Sequence, residues 1–347
     1  MASCQNKPLV SVCIPTYNKA RYLRKSLDSI INQTYRNLEI IISDNASTDN
    51  TEEMVESFTD ERMKYHRNPI NIGCYNNYNR CLKVARGEFV AFYHSDDIYE
   101  SDIVEKEVEF LQNHIDVAAV FALDRLINEN DKVIGKTNIP KELRGRDIYT
   151  FEEIFNAFLK FGNSFLICPT FMVKRDVFEI VGLFRENTFN TAADGEMWLR
   201  IGEKYPVGIL DERLIKRRIG RAQETYKYRR LRIERHDFFS VMDYYLRTMA
   251  SSNLVITNSI VQCYEFQKTW DDILCATNLL MQGKQSEARK SLRGLFSGKT
   301  FITGFKNLRG IGKLFIGIVL YIGINTGSSR RFGAILQRIQ YKLTGNL

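Results

Sequence analysis

Proline is missing from the last 141 residues of this 347-residue chain, and acidic residues are missing after Glu287. The first absence permits long uninterrupted helices, because proline breaks a helix interior. The second leaves eleven Lys and Arg residues unbalanced beyond Glu287; with a whole-chain net charge of +8, residues 1–287 carry −3. A slightly acidic body weakens the case for nucleic-acid binding, which wants a basic face. Charge asymmetry of this kind points to a basic tail that meets an anionic surface.

Histidine is scarce, at four residues, and the seven cysteines form no C-x-x-C pair, which excludes a zinc-ligand spacing. An odd number of scattered thiols fits a reducing cytosol. Residues 1–8 contain no apolar run, so no secretory leader is expected. No G-x-G-x-x-G follows the first apolar strand, which disfavours a dehydrogenase. Pro15-Thr-Tyr-Asn18 stands where a nucleotide-sugar pyrophosphorylase would want a Gly-rich basic loop. Internal repeats and low-complexity tracts are also missing. What remains is a globular composition, 44% apolar and 26% charged, long enough for two or three domains.

Residues 9–14, Leu-Val-Ser-Val-Cys-Ile, form an apolar run stopped by Pro15 and read as a buried strand. Leu23, Leu27, Ile30 and Ile31 recur at helical spacing. Residues 38–43 make a second strand ending at Asp44-Asn45, and Asp49-Asn-Thr-Glu52 reads as a helix start. Residues 63–67 suit a short third strand. Tyr75, Tyr78, Leu82 and Ala85 mark a helix face, with Gly87 as its expected C-cap. A strand over 88–93, a helix from about 102 to 113 and a strand at 117–121 follow. Alternation of strand and helix predicts a mostly parallel sheet with helices on both faces. Ligands of such sheets lie outside the C-terminal strand ends.

The second half reads differently. Residues 228–250 and 259–282 are long helical candidates, with a third pattern over 287–295 beyond Gly283. Residues 314–324 are eleven consecutive positions without a charged side chain, flanked by Lys313 and Asn325. A membrane span needs about 20 residues. The run reads as an interfacial segment beside cationic residues, with a core helix as the competing reading.

Three carboxylate sites follow apolar segments. Asp44 ends a buried strand, where a carboxylate can accept from a pyrimidine N3–H and Tyr17 could stack on the same ring; capping of its own loop is the competing role. Asp96-Asp97 follow Phe-Val-Ala-Phe-Tyr93 and repel one another unless a positive group sits near, as a divalent cation shared with substrate phosphates does. A solvated turn or a helix cap is the plainer alternative. Asp194-Gly-Glu196 opens a helix, where a carboxylate can take a proton from a hydroxyl or act as an ordinary N-cap.

Their order carries more than any one of them. Val10-Ser-Val-Cys-Ile-Pro-Thr-Tyr-Asn18, Ile42-Ser-Asp-Asn-Ala-Ser-Thr-Asp-Asn-Thr51, Asn71-Ile-Gly73, Gly87-Glu-Phe-Val-Ala-Phe and His94-Ser-Asp-Asp97 together resemble the family 2 glycosyltransferases of GT-A fold. Phe171-Met-Val-Lys-Arg-Asp-Val-Phe-Glu-Ile-Val-Gly-Leu-Phe184 and Ala193-Asp-Gly-Glu-Met-Trp-Leu-Arg200 resemble the acceptor-side segment of that family. The resemblance runs over about residues 8–220. It implies an α/β nucleotide-diphospho-sugar transferase fold with a mostly parallel central sheet, followed by an α-helical C-terminal region. The expected divisions are 1–221 catalytic, 222–297 helical, and 298–347 a basic amphipathic segment at a membrane.

Roles carry over from the resemblance position by position. Asp44 is implied to bind the base, with Pro15 and Tyr17 flanking the nucleotide. Asn71 and Asn79 are implied to line the donor site, Asp96 to lie near ribose and phosphate, and Asp97, helped by Asp96, to hold Mn²⁺ or Mg²⁺. Asp194 is implied to be the catalytic base. The chain departs from the family pattern at His94, which replaces the first Asp of Asp-x-Asp, at Ala193, which replaces the Glu of Glu-Asp, and at Gly220, where a His is frequent. Arg217 and Arg218 are expected to reach the diphosphate. The implied reaction is inverting transfer of a sugar from a nucleoside diphosphate, UDP by preference, to a hydroxyl of a lipid-linked or cell-surface glycan precursor. The expected location is cytoplasmic, peripheral at an anionic membrane surface, with no nucleic-acid partner. A non-catalytic nucleotide-sugar-binding or scaffold protein on the same fold is the alternative.

Overall fold

The computed structural model describes residues 7–220, 228, 230–249, 254–306 and 308–326. The chain divides into two compact units, Met1–Ile154 with Ser164–Arg218, and Phe155–Asn163 with Ile219–Leu347. Basic positions Arg330, Arg331, Arg338 and Lys342 lie outside the described residues, as do 221–227.

The first unit is built on one mixed sheet. Its strands are β1 (Val10–Thr16), β2 (Leu38–Asp44), β3 (Met63–Arg67), β4 (Phe89–Phe92), β5 (Ile98–Tyr99), β6 (Ala119–Ile127), β7 (Val133–Lys136), β8 (Ile148–Tyr149), β9 (Phe171–Lys174) and β10 (Val207–Arg218). The order is β3-β2-β1-β4-β9-β6-β10-β5, with β7 on β6 and β8 on β10. From β3 to β4 every pairing is parallel, as alternation of strand and helix predicts. Beyond β4 the pattern changes: β9 enters antiparallel between β4 and β6, and β5, β7 and β8 pair antiparallel at β10 and β6. In the sequence the residues of β9 are legible only as part of the acceptor-side motif.

Strand alternation sets the two faces. Val10, Val12 and Ile14 of β1 and Leu38, Ile40 and Ile42 of β2 join one apolar core with Leu23, Leu27 and Ile30 from α1 (Ala20–Ile31). Short α2 (Thr51–Glu56) sends Val55 into the same core, and α4 (Ile103–Asn113) adds Val104, Val108 and Leu111. The helix α3 (Cys74–Val84) contacts β1 and β2 as well, and its Asn77 reaches Ser43, a β2 residue of opposite parity to that core. Gly87 is not the C-cap of α3, which ends at Val84. A Cβ at Gly87 would stand 2.5 Å from the Ser11 backbone nitrogen, so glycine is needed for close approach to β1.

Helices α5 (Phe151–Phe161), α6 (Val177–Val181), α7 (Glu186–Phe189) and α8 (Ala193–Gly202) complete the first part of the chain. Residues 155–163 of this stretch group with the C-terminal unit. That unit also holds α9 (Asp237–Thr248), α10 (Asn258–Met281), α11 (Gln285–Ser291), α12 (Gly298–Gly304) and α13 (Leu308–Asn325). A separate segment from 298 onward is not seen among the described residues: Leu314, Ile316, Leu320 and Ile324 share a core with Ile273, Leu279, Leu292 and Leu295. Part of the 314–324 run is therefore core, while Phe315 and Ile322 stay exposed.

Candidate active site

The parallel register brings three strand ends to one edge. Thr16 pairs with Asp44, and Cys13 pairs with Phe92, so the segments after β1, β2 and β4 emerge side by side. The loops are cross-tied. The backbone N–H of Asn18, a residue with φ +51°, donates to Ser47 Oγ at 2.9 Å, and Thr48 N–H donates to Asn18 Oδ1 at 2.7 Å. Pro15 and Tyr17 lie half-buried in this turn.

Asp44 is fully buried. Its Oδ1 accepts from Ser47 N–H at 2.8 Å and its Oδ2 from the Tyr65 hydroxyl at 2.6 Å. Burial and the Asp44 carboxylate together push the Tyr65 hydroxyl well above the usual tyrosine range. Behind Asp44 stands a buried amide network that sequence spacing does not reveal. Asn68 donates to Asn45 and Asn77, Asn77 is bonded to Ser43, and Asn45 donates to Asn71 Oδ1 at 2.8 Å and to Gly73 O at 3.0 Å. Asn71 itself is exposed and also accepts from Gly73 N–H.

Asp96 and Asp97 are both buried just beyond β4. Lys19 Nζ lies 2.6 Å from Asp96 Oδ2, a partner that follows the Pro-Thr-Tyr-Asn turn directly in sequence. Asp97 Oδ1 accepts from Arg218 N–H at 2.7 Å, whereas its buried Oδ2 has no hydrogen bond among the described residues. Burial, then repulsion from Asp96, holds the Asp97 carboxyl well above the usual carboxylate range. His94 Nδ1 faces Asp97 Oδ2 at 3.7 Å, and its Nε2 lies 2.7 Å from the Tyr78 hydroxyl. Burial pushes His94 down to about 4, so the ring is neutral at physiological pH. Where Nε2 carries the proton toward Tyr78, Nδ1 keeps its lone pair. The candidate ligand atoms of His94, Asp96 and Asp97 lie within 4.8 Å of one another. A buried carboxylate oxygen without a donor, beside a second carboxylate and a neutral imidazole, fits a divalent cation.

Asp194 occupies the first turn of α8 and accepts from Gly195 N–H at 2.7 Å. Burial raises it to about 6, opposed by the bonds to Gly195 and Tyr75. Its neighbour Glu196 serves the scaffold instead. Fully buried, it holds Arg200 at 2.8 Å, and Arg200 donates to Val181 O and Leu183 O. An aromatic row links the two acidic centres. Tyr78 contacts His94, Tyr75 lies 5.5 Å from Tyr78, and the Tyr75 hydroxyl donates to Thr191 O at 3.3 Å and favours the ionised form of Asp194. The Cys168 thiol feels both Asp194 and Asp97, which raise it along with burial.

Two of the residues expected at the donor site have partners within the protein. Asn79 gives both ends of its amide to Phe184, donating to Phe184 O and accepting from Phe184 N–H, each at 2.9 Å. Arg218 is buried, donating to Asp96 O and Asn128 O, paired with Asp131 at 2.6 Å and stacked on Tyr22. Its guanidinium supports the Asp96-Asp97 turn from beneath. Arg217 is partly exposed, with Nε 2.6 Å from Asp124. A further clamp has no signature in the sequence: Glu186 accepts from Cys74 N–H at 3.0 Å and Asn76 N–H at 2.8 Å, at the start of α3.

Residues 11–182 match glycosyl transferase family 2. An uncharacterized glycosyltransferase of Methanocaldococcus jannaschii is 32% identical over 224 residues, 63% of this chain and 73% of that protein. The Escherichia coli protein WfgD, a UDP-Glc:α-D-GlcNAc-diphosphoundecaprenol β-1,3-glucosyltransferase, is 33% identical over 135 residues; the match covers 39% of this chain and about half, 53%, of WfgD. The fold is similar to that of the Pyrobaculum calidifontis mannosyltransferase PcManGT, solved with GDP-Man and Mn²⁺. The TM-score is 0.52 and the identity 18%, over 97% of this chain and 87% of that one.

Proposed function

The chain belongs to glycosyl transferase family 2, and from that premise we propose an inverting transfer of a sugar from a nucleoside diphosphate to a hydroxyl of a lipid-linked glycan. The observation that carries the reading is the pairing of two unlike acidic centres across one aromatic row. Asp97 presents a buried oxygen without a hydrogen bond, and Asp194 is raised to about 6. Environments that drive two carboxyls to different roles are what acid–base chemistry at neutral pH requires.

In this reading Asp194 removes the proton of the incoming hydroxyl as it attacks the anomeric carbon. Its raised value makes it a stronger base than an ordinary aspartate while leaving it mostly ionised at pH 7. A divalent cation held by Asp97, with Asp96 and His94 beside it, would supply stabilisation of negative charge on the departing diphosphate. Lys19 and Arg217 add fixed positive charge on the same side. Base and leaving group lie on opposite sides of the reacting carbon, so the configuration inverts and no enzyme nucleophile is needed. Pro15, Tyr17, Asp44 and Asn71 form the nucleotide end. The Tyr65 hydroxyl on Asp44 Oδ2 would share that oxygen with a pyrimidine N3–H. The UDP-glucose donor and the diphosphoundecaprenol-linked acceptor of WfgD support a UDP-linked donor and a lipid-linked acceptor. A lipid-linked acceptor in turn supports a peripheral position on the cytoplasmic face of a membrane.

The test is a panel of nucleoside diphosphate sugars, incubated with a lipid-diphosphate-linked sugar and either Mn²⁺ or EDTA. Acceptor-stimulated release of nucleoside diphosphate from one donor, abolished by EDTA, is expected. Donor binding without any release across the panel would favour the non-catalytic alternative.

A further inference from the structure

Helix α13 has two apolar stripes. Gly310, Leu314, Gly317, Leu320 and Ile324 form one, spaced three or four apart and buried. Its glycines permit close contact: a Cβ at Gly310 would lie 2.2 Å from Gly304 O, and one at Gly317 within 3 Å of Ile273 and Leu295. The opposite stripe is Leu308, Ile311, Phe315, Ile318 and Ile322, again spaced three and four apart. Leu308 is 86% exposed, Phe315 66% and Ile322 53%; Ile302 and Phe305, at the end of α12, are exposed as well. A surface helix ordinarily places charged residues where this stripe places Leu, Ile and Phe. Within α12, α13 and the turn between them the exposed charges are of one sign, Lys299, Lys306 and Arg309, and the chain holds no acidic residue beyond Glu287.

We propose that this outward stripe, with Ile302 and Phe305, is the surface that seats the protein on an anionic lipid bilayer, with α13 lying in the interface. The inference deepens the membrane placement proposed above and rests on it. Length and composition alone would let α13 cross a membrane. Crossing would strip Leu314, Gly317 and Leu320 from the core they share with α10 and α11, whereas lying flat keeps that core and buries only the outward residues. The charge pattern selects the occupant. Two copies joined through this face would set Lys299, Lys306 and Arg309 against their own likeness, with no acid on α12 or α13 to offset them. An anionic headgroup layer offers the complementary sign. The membrane-facing residues are thus every third or fourth position of 308–322, not the whole 314–324 run.

Full-length protein is co-sedimented with vesicles of phosphatidylcholine alone and of phosphatidylcholine with phosphatidylglycerol. Preferential partition onto the anionic vesicles, weakened by salt, is expected. The double variant Phe315→Glu/Ile322→Glu should partition roughly tenfold or more weakly, because apolar burial is replaced by charge. Both positions face outward, so the circular dichroism spectrum and thermal midpoint should hold; Leu308→Glu, at the helix start, is a second variant if they do not. Unchanged partition of folded variants would overturn the assignment. So would a wild-type dimer in sedimentation velocity that Phe315→Glu dissociates, since the occupant would then be a second copy. Vesicle binding requires no turnover. A protein that binds vesicles yet releases no diphosphate would refute the transferase reading and leave this surface standing.

Discussion

Asn76 donates its backbone N–H to Glu186 across 2.8 Å, joining the first turn of α3 to α7, the short helix that leads toward Asp194. Cys74 N–H makes a second bond to the same carboxylate at 3.0 Å. On the other side, Asn71 and Gly73 tie this turn to Asn45, beside Asp44. The nucleotide end and the base are thereby fixed to one helix. Glu186 is a positioning residue in this arrangement, and Glu186→Ala should lower kcat. A hydrogen bond to a charged group contributes about 1.5–3 kcal/mol, so the expected loss is roughly 10- to 100-fold. Donor KM should change little, and Glu186→Asp should restore part of the rate. Steady-state kinetics would refute the role if KM rose and kcat did not fall.

Gly73 tests the same clamp from the opposite side. Its φ is +94°, and a Cβ there would stand 2.5 Å from Glu186 Oε1. Gly73→Ala therefore strains the backbone and pushes the carboxylate off α3. A loss of about 1–3 kcal/mol is expected from the backbone conformation alone. Thermal unfolding should register it as a lower midpoint, together with a kcat defect like that of Glu186→Ala. A midpoint equal to wild type would mean that the turn relaxes freely.

Asp194 should show itself in opposite effects on rate and stability. Its folded value, about 6, lies above the ordinary aspartate value of 3.8. The folded state therefore binds more protons between those values, and the ionised carboxylate opposes folding progressively as pH rises through 6. Asp194→Asn should melt higher than wild type at pH 7.5, and the advantage should vanish below pH 3.8, where the wild-type carboxyl is protonated in both states. Turnover should fall by roughly 10²–10⁴, the usual contribution of a general base. In the active protein kcat should rise with pH along an acid limb near 6. Tyr75→Phe removes a bond that favours the ionised form, so that limb should move upward. A pH–rate profile with no acid limb near 6, or near-wild-type turnover of the Asn variant, would remove Asp194 from the mechanism.

Sequence order carried the strand ends to within two residues, because β1, β2 and β4 are short apolar runs that give way to polar residues at Asn18, Asp44 and His94, although β1 runs past Pro15 to Thr16, and parallel pairing places such ends on one edge. It could not show β9 running antiparallel between β4 and β6, since Phe171–Lys174 has the same local pattern in either direction. Nor could it tell an amide that faces a ligand from one that holds a loop. Asn79 lies on the buried side of α3 and grips Phe184, a partner 105 residues away. Arg218 reads as a phosphate ligand by charge, and nothing in its sequence neighbourhood announces its burial or its partners Asp96 O, Asn128 O and Asp131. Glu186 and Lys19 were invisible for a related reason: each is an ordinary surface residue until the fold supplies its partner.

Asp97 offers the sharpest separation of folding from ligand binding. Its Oδ1 accepts from Arg218 N–H, a bond that an asparagine carbonyl can also accept. Its Oδ2 has no hydrogen bond among the described residues, so replacing that oxygen by an amide costs the fold little. It also removes a buried charge next to Asp96, which burial and repulsion already disfavour. Asp97→Asn should consequently melt no lower than wild type in EDTA. A ligand that binds only the folded state raises the melting point according to its concentration over its Kd. Wild type should therefore gain stability from nucleoside diphosphate together with Mn²⁺ and gain much less from either alone, while the variant should lose the joint effect. His94→Ala should weaken that effect without abolishing it, as one neutral ligand among two carboxylates. A joint shift that survives in Asp97→Asn would place the cation elsewhere and break the link between the buried oxygen and the departing diphosphate.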